Sequence, residues 1–224
     1  MQIIEDDCIF PHPSTINRYG ILGVGGEMNV KALFVAYSFG IFPWYNYTHE
    51  PVIWWNPTPR FVVFPERVKV AKSMNVYFNQ NKFRITYNTC FDAVIRQCEM
   101  VTRKGQNGTW INEEIIEAYT ELHHRGMAES IEVWDGDHLV GGLYGVKLGK
   151  IFFGESMFSL VSNASKFGFI SLAKKLQEQG FLVIDCQQPN PHLTSLGGEF
   201  IDKKTWHDLL AQNRKTILKE EVWL

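Results

Sequence analysis

Asp185 and Gln187 are the side chains best suited to moving a proton beside an apolar wall. They close Ile184-Asp185-Cys186-Gln187, at the end of the apolar run 181–186. An acid leaving such a run is costly unless it is partnered. If the strand persists, period-two alternation sends both side chains to one side. There the acid can orient the amide or accept charge from an attacking ammonium; a capped strand end with a hydrogen-bonded Asp is the other reading. Glu155, in the segment GESMFS (154–159), sits among hydroxyls. It can orient an amine or a sugar hydroxyl, or the segment is a loop whose serines cap the next helix. Leu143, Phe152 and Met157, with Tyr144, Gly145 and Phe158 around them, can line a pocket for a flat or branched apolar side chain, or simply fill core. Trp110, ending GQNGTW (105–110), can stack on a base or pack inside.

Nucleophilic and metal chemistry find less footing. The four cysteines, Cys8, Cys90, Cys98 and Cys186, form no CxxC pair and have no histidine at zinc-finger spacing. His123-His124 falls on an expected helix without a metal-ligand interval, and no nucleophile triad stands out. His192, in Pro191-His192-Leu193, reads by itself as structural or as a simple hydrogen-bond donor.

The elements that must position these side chains can be placed from periodicity and caps. Residues 1–28, rich in Pro and Gly, read as turns and irregular structure. Asn29 caps a helix bearing Val30, Leu33, Phe34 and Tyr37 on one face, ended by Gly40. Residues 41–45 and 51–60 hold Trp44, Trp54 and Trp55 among several prolines, which predicts an irregular aromatic segment closing a small N-terminal domain near residue 62. Beyond it, Thr89 is expected to cap a helix carrying Phe91, Val94, Ile95 and Cys98. Asn112 caps another, with Glu113 and Glu114 at its positive end and Gly126 as its stop. Strands follow at 130–134, 139–147 and 150–153, the last two joined at Leu148-Gly149. A helix over 165–179, a buried strand over 181–186 and a helix with Trp206, Leu209 and Leu210 complete an α+β domain over 63–224.

Bulk properties narrow the class. The 224 residues carry 45% hydrophobic and 21% charged side chains, enough for an ordinary globular core. A net charge of -2 argues against non-specific grip on long duplexes, including DNA, and leaves room for a local nucleic-acid contact. No apolar run reaches a membrane-spanning length and no signal peptide is recognisable. A reduced, cytoplasmic setting is expected.

Taken together, several blocks resemble the leucyl/phenylalanyl-tRNA–protein transferase family. They include Ala36-Tyr37, Gly40-Ile41-Phe42-Pro43-Trp44-Tyr45, PVIWWNPTPR (51–60), Gly108-Thr109-Trp110-Ile111, Glu132-Val133-Trp134, LVGGLYGV (139–146), GESMFS, NASK (163–166), IDCQ (184–187) and Ser195-Leu196-Gly197. All occur in the family's order. The resemblance implies a small N-terminal domain (1–62) and a C-terminal acetyltransferase-like (GNAT) domain (63–224). It implies transfer of Leu, Phe or Met from aminoacyl-tRNA to the α-amino group of proteins starting with Arg or Lys, marking them for N-degron degradation, with no metal or nucleotide cofactor. Under it, Asp185 and Gln187 match the catalytic pair and Glu155 the acid that orients the acceptor or the ester. Leu143, Phe152 and Met157 match the donor side-chain pocket, and Tyr37, Trp44 and Trp110 the aromatics around the terminal adenosine of tRNA.

The chain departs from the family at Asn56 to Arg60, where Ser-Pro-Asp-Pro-Arg is usual, at Glu129 in place of His, and at Asp202-Lys203 in place of Pro-Arg. Its 72–84 stretch carries fewer basic residues. These changes bear on tRNA backbone contacts and leave acceptors beginning with Asp or Glu open beside Arg and Lys. Two rivals stand against the family reading. An acyl-CoA acetyltransferase needs a glycine-rich anion cradle, and SLVSNASK (159–166) contains no glycine. A non-catalytic tRNA-binding module would keep the aromatics without needing Asp185 or Gln187.

Overall fold

The computed structural model describes residues 2–5, 9–12, 15–45, 51–101 and 111–218. Strands β1 (Gln2–Ile3), β2 (Ile21–Val24), β3 (Phe42–Trp44) and β4 (Ile53–Trp55), with helix α1 (Val30–Ser38), precede strand β5 (Arg60–Val63). Next come α2 (Lys72–Asn79), β6 (Arg84–Tyr87), α3 (Phe91–Met100) and α4 (Glu113–His124). The long meander β7 (Ala128–Asp135), β8 (His138–Leu148) and β9 (Ile151–Ser159) leads into α5 (Ala164–Glu178). The rest is β10 (Val183–Gln187), α6 (Pro191–Ser195), β11 (Glu199–Ile201) and α7 (Lys203–Ile217).

The first four strands form a sheet of order β1-β2-β4-β3. Two segments expected to be irregular are therefore extended. Ile21, Leu22 and Val24 are strand formers, and Ile4 adds a backbone bond to the Val24 carbonyl at 2.9 Å. Pro43 is tolerated because β3 is the edge strand, where a missing N–H breaks no inner ladder. Trp54 is fully buried, and its Nε1 donates to the Gly25 carbonyl at 2.9 Å.

The remaining strands build one seven-stranded sheet, β11-β5-β10-β9-β8-β7-β6. Its neighbours run antiparallel except β9 and β10. That parallel pair is bonded only at Ile151–Val183, Phe152–Ile184 and Phe153–Asp185, so the two strands part where GESMFS begins. GESMFS itself is strand, not loop, because it stays paired to β8 up to Ser159–Gly141. Ser159 still serves the next helix: its Oγ accepts from the Ser165 N–H at 3.2 Å.

Helices α3 and α4 cover one face with α1 and α7, and α5 covers the other with α2. Caps expected at Asn29 and Asn112 are present, each side chain accepting from the N–H three residues on at 2.9 Å. Thr89 does not cap α3. Its N–H and hydroxyl go to Glu132, a fully buried carboxylate that also accepts from Thr86 and Ser130. Cys90 stands at the cap position without a side-chain bond. At the far end of the sheet, Asn213 of α7 accepts from Lys150 N at 2.6 Å and donates to Leu148 O at 3.0 Å, strapping the β8–β9 turn.

Candidate active site

Where β9 and β10 separate, a cavity of about 730 Å³ opens between the sheet, α5 and the segment 187–193. Its wall is mostly apolar: Leu143, Phe152 and Met157 meet Phe169, Leu172 and Ile184. Beside the cavity, β8 carries glycines where it meets β9. A Cβ on Gly145 would stand 2.2 Å from the Phe153 carbonyl and 2.6 Å from the Phe152 ring. Only a bare backbone leaves room for the Phe152 ring there. Trp44 joins the wall from the N-terminal sheet, its ring 6.2 Å from that of Trp55.

The polar end of the cavity is built by Glu155 and Gln187. Gln187 Nε2 donates to Glu155 Oε1 at 2.9 Å. Tyr37 donates to the same oxygen at 2.7 Å, and Tyr119 to Oε2 at 3.2 Å. The two phenol oxygens are 2.5 Å apart. Burial pushes the Glu155 carboxyl up to about 7, against the pull of the Tyr37 hydrogen bond. Burial, then the Glu155 charge, holds Tyr37 and Tyr119 far above the ordinary phenol range, so both remain donors. With Nε2 turned to a carboxylate, the Gln187 carbonyl oxygen is the end left for a ligand's N–H.

Tyr37 is not on the cavity wall. It is fully buried behind Glu155, with its ring 4.9 Å from that of Phe153, so a base cannot stack on it. Trp110 lies outside the described residues. Asp185 and Gln187 do not share a side as regular alternation predicts. The ladder to β5 shifts register between them, and Gln187 takes a φ of +61°. That step turns Gln187 onto the wall beside Ile184 and Cys186, whereas Asp185 is fully buried off it, its carboxylate on Arg60.

Two cavity residues offer side chemistry that the site does not exploit. Burial pushes the Cys186 thiol far up, so it is not a thiolate nucleophile near neutrality. Burial, then the Lys166 charge, lowers the His192 imidazole and keeps it neutral there. Sequence reasoning missed Tyr119, which reads as one more member of an apolar helix stripe, and Arg60, whose burial no local pattern announces. Among the described residues no group of three or more His, Cys, Asp or Glu side chains is placed to hold a metal ion. No described helix is long and apolar enough to cross a membrane.

The site is thus an apolar slot that ends in a carboxylate and an amide, with two buried phenols holding the carboxylate from behind. The family models for leucyl/phenylalanyl-tRNA protein transferase match residues 62–211, and for its N-terminal domain residues 26–58. The transferase of that name from Flavobacterium johnsoniae is 48% identical over 210 residues, covering 94% of this chain and 99% of that protein. The one from Christiangramia forsetii is 54% identical over 205 residues, covering 91% and 96%. This chain belongs to the leucyl/phenylalanyl-tRNA protein transferase family and is a transferase. Solved structures are more distant. The aminoglycoside acetyltransferase meta-AAC0020 from an uncultured soil metagenomic sample matches at 15% identity and a TM-score of 0.36, over 64% of this chain and 93% of that one. L-PGS from Bacillus licheniformis matches at 12% and 0.41, over 84% and 63%.

Proposed function

We propose that this chain transfers Leu, Phe or Met from aminoacyl-tRNA to the N-terminal α-amino group of proteins starting with Arg or Lys, with Asp or Glu starts as a second acceptor class. The observation that carries the proposal is the junction of the apolar slot with the Glu155–Gln187 pair. In this reading Leu143, Phe152 and Met157 hold the donor side chain, and Trp44, with Trp110, borders the terminal adenosine. The product enters N-degron degradation in the cytoplasm, and no cofactor is required. The small N-terminal domain ends before β5 rather than at residue 62, because Arg60–Val63 already pair with β10 and β11 in the large sheet; the rest of the chain is a GNAT-like catalytic domain, a reading supported by the parting of parallel β9 and β10 after Phe153.

An aminoacyl ester is already activated, so placing an amine about 3 Å from its carbonyl supplies most of the acceleration. The acceptor arrives as an ammonium and must lose a proton. Glu155, the carboxylate on the cavity wall, takes that proton, and the Gln187 carbonyl oxygen holds a remaining N–H. The nitrogen lone pair then forms the C–N bond, the C–O bond to the ribose breaks and the ribose oxygen takes the first proton back from Glu155, which, ionised again, accepts the second proton from the nitrogen and passes it to water. Asp185 acts from behind this pair. An apolar slot separates one methylene from the next by only about 1–3 kcal/mol, which accords with relaxed choice among three donors.

The deciding experiment offers labelled Leu-, Phe- and Met-tRNA with peptides starting with Arg, Lys, Asp, Glu or Ala. Label is expected on the basic-start peptides, and no transfer to any peptide refutes the reading.

A further inference from the structure

Arg60 closes PVIWWNPTPR on β5, and its side chain is completely enclosed. Nε and Nη2 donate to Asp185 Oδ1 and Oδ2 at 2.8 and 2.6 Å, and Nη2 also to the Gly40 carbonyl at 2.9 Å. The rings of Phe42 and Trp206 flank the guanidinium, each centroid 4.8 Å away. Neither Arg60 nor Asp185 lines the cavity. Asp185 Oδ1, the oxygen held by Arg60 Nε, accepts a second bond from the Gln187 N–H at 2.9 Å.

That last bond falls at the residue whose backbone is left-handed, φ +61°. Glutamine seldom adopts this conformation unless its surroundings impose it. Relaxed to extended backbone, Gln187 would follow strand alternation back to the side of Asp185 and leave Glu155. The geometry points to Arg60 as a positioning residue for the transfer reaction: by fixing the Asp185 carboxylate it anchors the left-handed turn that sets Gln187 against Glu155 at the cavity wall. This rests on the transferase reading above. Asp185 is then a backbone anchor rather than the acceptor of the substrate's proton, since its carboxylate lies fully buried off the cavity wall, on Arg60 and the Gln187 N–H.

The test is a cycle of full-length variants assayed for kcat, KM for donor and acceptor, thermal melting and the pH profile of kcat. Either Arg60→Met or Asp185→Asn alone strands a buried partner and is expected to fold poorly. Arg60→Met combined with Asp185→Asn removes both charges yet keeps an oxygen for the Gln187 N–H. It is expected to fold, keep the wild-type shape of the pH profile, and retain kcat within about tenfold, with KM within about twofold. Arg60→Met with Asp185→Ala lacks that oxygen, and kcat should fall roughly a further hundredfold at nearly constant KM. Arg60→Lys, which keeps the charge but loses the fork, is expected to fold and to lose about tenfold in kcat. Equal activity of the Asn and Ala combinations, disappearance of the pH limb in the Asn combination, or full activity in Arg60→Lys would each overturn the assignment. Should both combinations unfold, Arg60→Lys decides. Absence of transfer by the wild-type enzyme would instead refute the transferase reading itself.

Discussion

Gln187 Nε2 meets Glu155 Oε1 at 2.9 Å although the residues belong to strands that have already separated. The bond spans the gap between β9 and β10 and gives the cavity its polar end. Four groups thus converge on one carboxylate pocket: an amide, two phenols and the acid itself. The acid is poised near neutrality because burial outweighs its hydrogen bonds.

Activity should follow the ionisation of that acid. On the proposal that ionised Glu155 takes the amine's proton, kcat is expected to rise with pH through about 7. Glu155→Gln should remove this limb and lower kcat by about 10²-fold or more, as measured in single-turnover transfer across pH 5.5 to 8.5.

Stability should move the other way. The folded acid keeps its proton up to about 7, whereas the unfolded one releases it near 4.5. Between these values the folded chain binds the extra proton, so the contribution of Glu155 to stability is full below the unfolded value and is lost as pH rises through 7. Urea melts at pH 5 and pH 8 should therefore differ by roughly 2–3 kcal/mol less in Glu155→Gln than in the parent.

The apolar cavity, proposed to hold the donor side chain, depends on absent as much as on present side chains. Gly145→Ala puts a methyl 2.2 Å from the Phe153 carbonyl. It should cost about 2 kcal/mol or more of stability and disturb the Phe152 ring. Met157→Ala enlarges the slot instead, and should lower kcat/KM for Leu-tRNA about tenfold while sparing Phe-tRNA more. Competition between the two charged tRNAs reads the ratio directly; an unchanged ratio would place the donor side chain elsewhere.

Asn213 has a purely structural duty. Both polar atoms of its amide are spent on the β8–β9 turn. Asn213→Ala should cost about 1–3 kcal/mol by orphaning a buried N–H and carbonyl. A fall in the denaturation midpoint with unchanged KM is the expected signature.

How much of this was legible beforehand differs from residue to residue. Asn112 with Glu113 and Glu114 announces α4 because a cap and its dipole partners are local. The β8–β9 turn is likewise local, at Leu148 and Gly149. The extension of β9 through GESMFS is not, because it depends on pairing with β8 rather than on its own composition. Tyr119 joins Glu155 from 36 residues away and Arg60 joins Asp185 from 125 residues away, distances at which no periodicity speaks. Gln187 defeated the alternation rule for a similar reason, since one backbone bond from the Asp185 side chain reverses its facing.

Trp206, on α7, lies against the guanidinium of Arg60. During synthesis the strand bearing Asp185 leaves the ribosome before this ring does. Until α7 docks, the charged pair has no lid on that side and stays open to water. A nascent chain that has not yet added α7 thus holds every residue of the wall yet lacks the stopper on its ion pair, so the setting of β10 waits on a helix that follows it in the sequence.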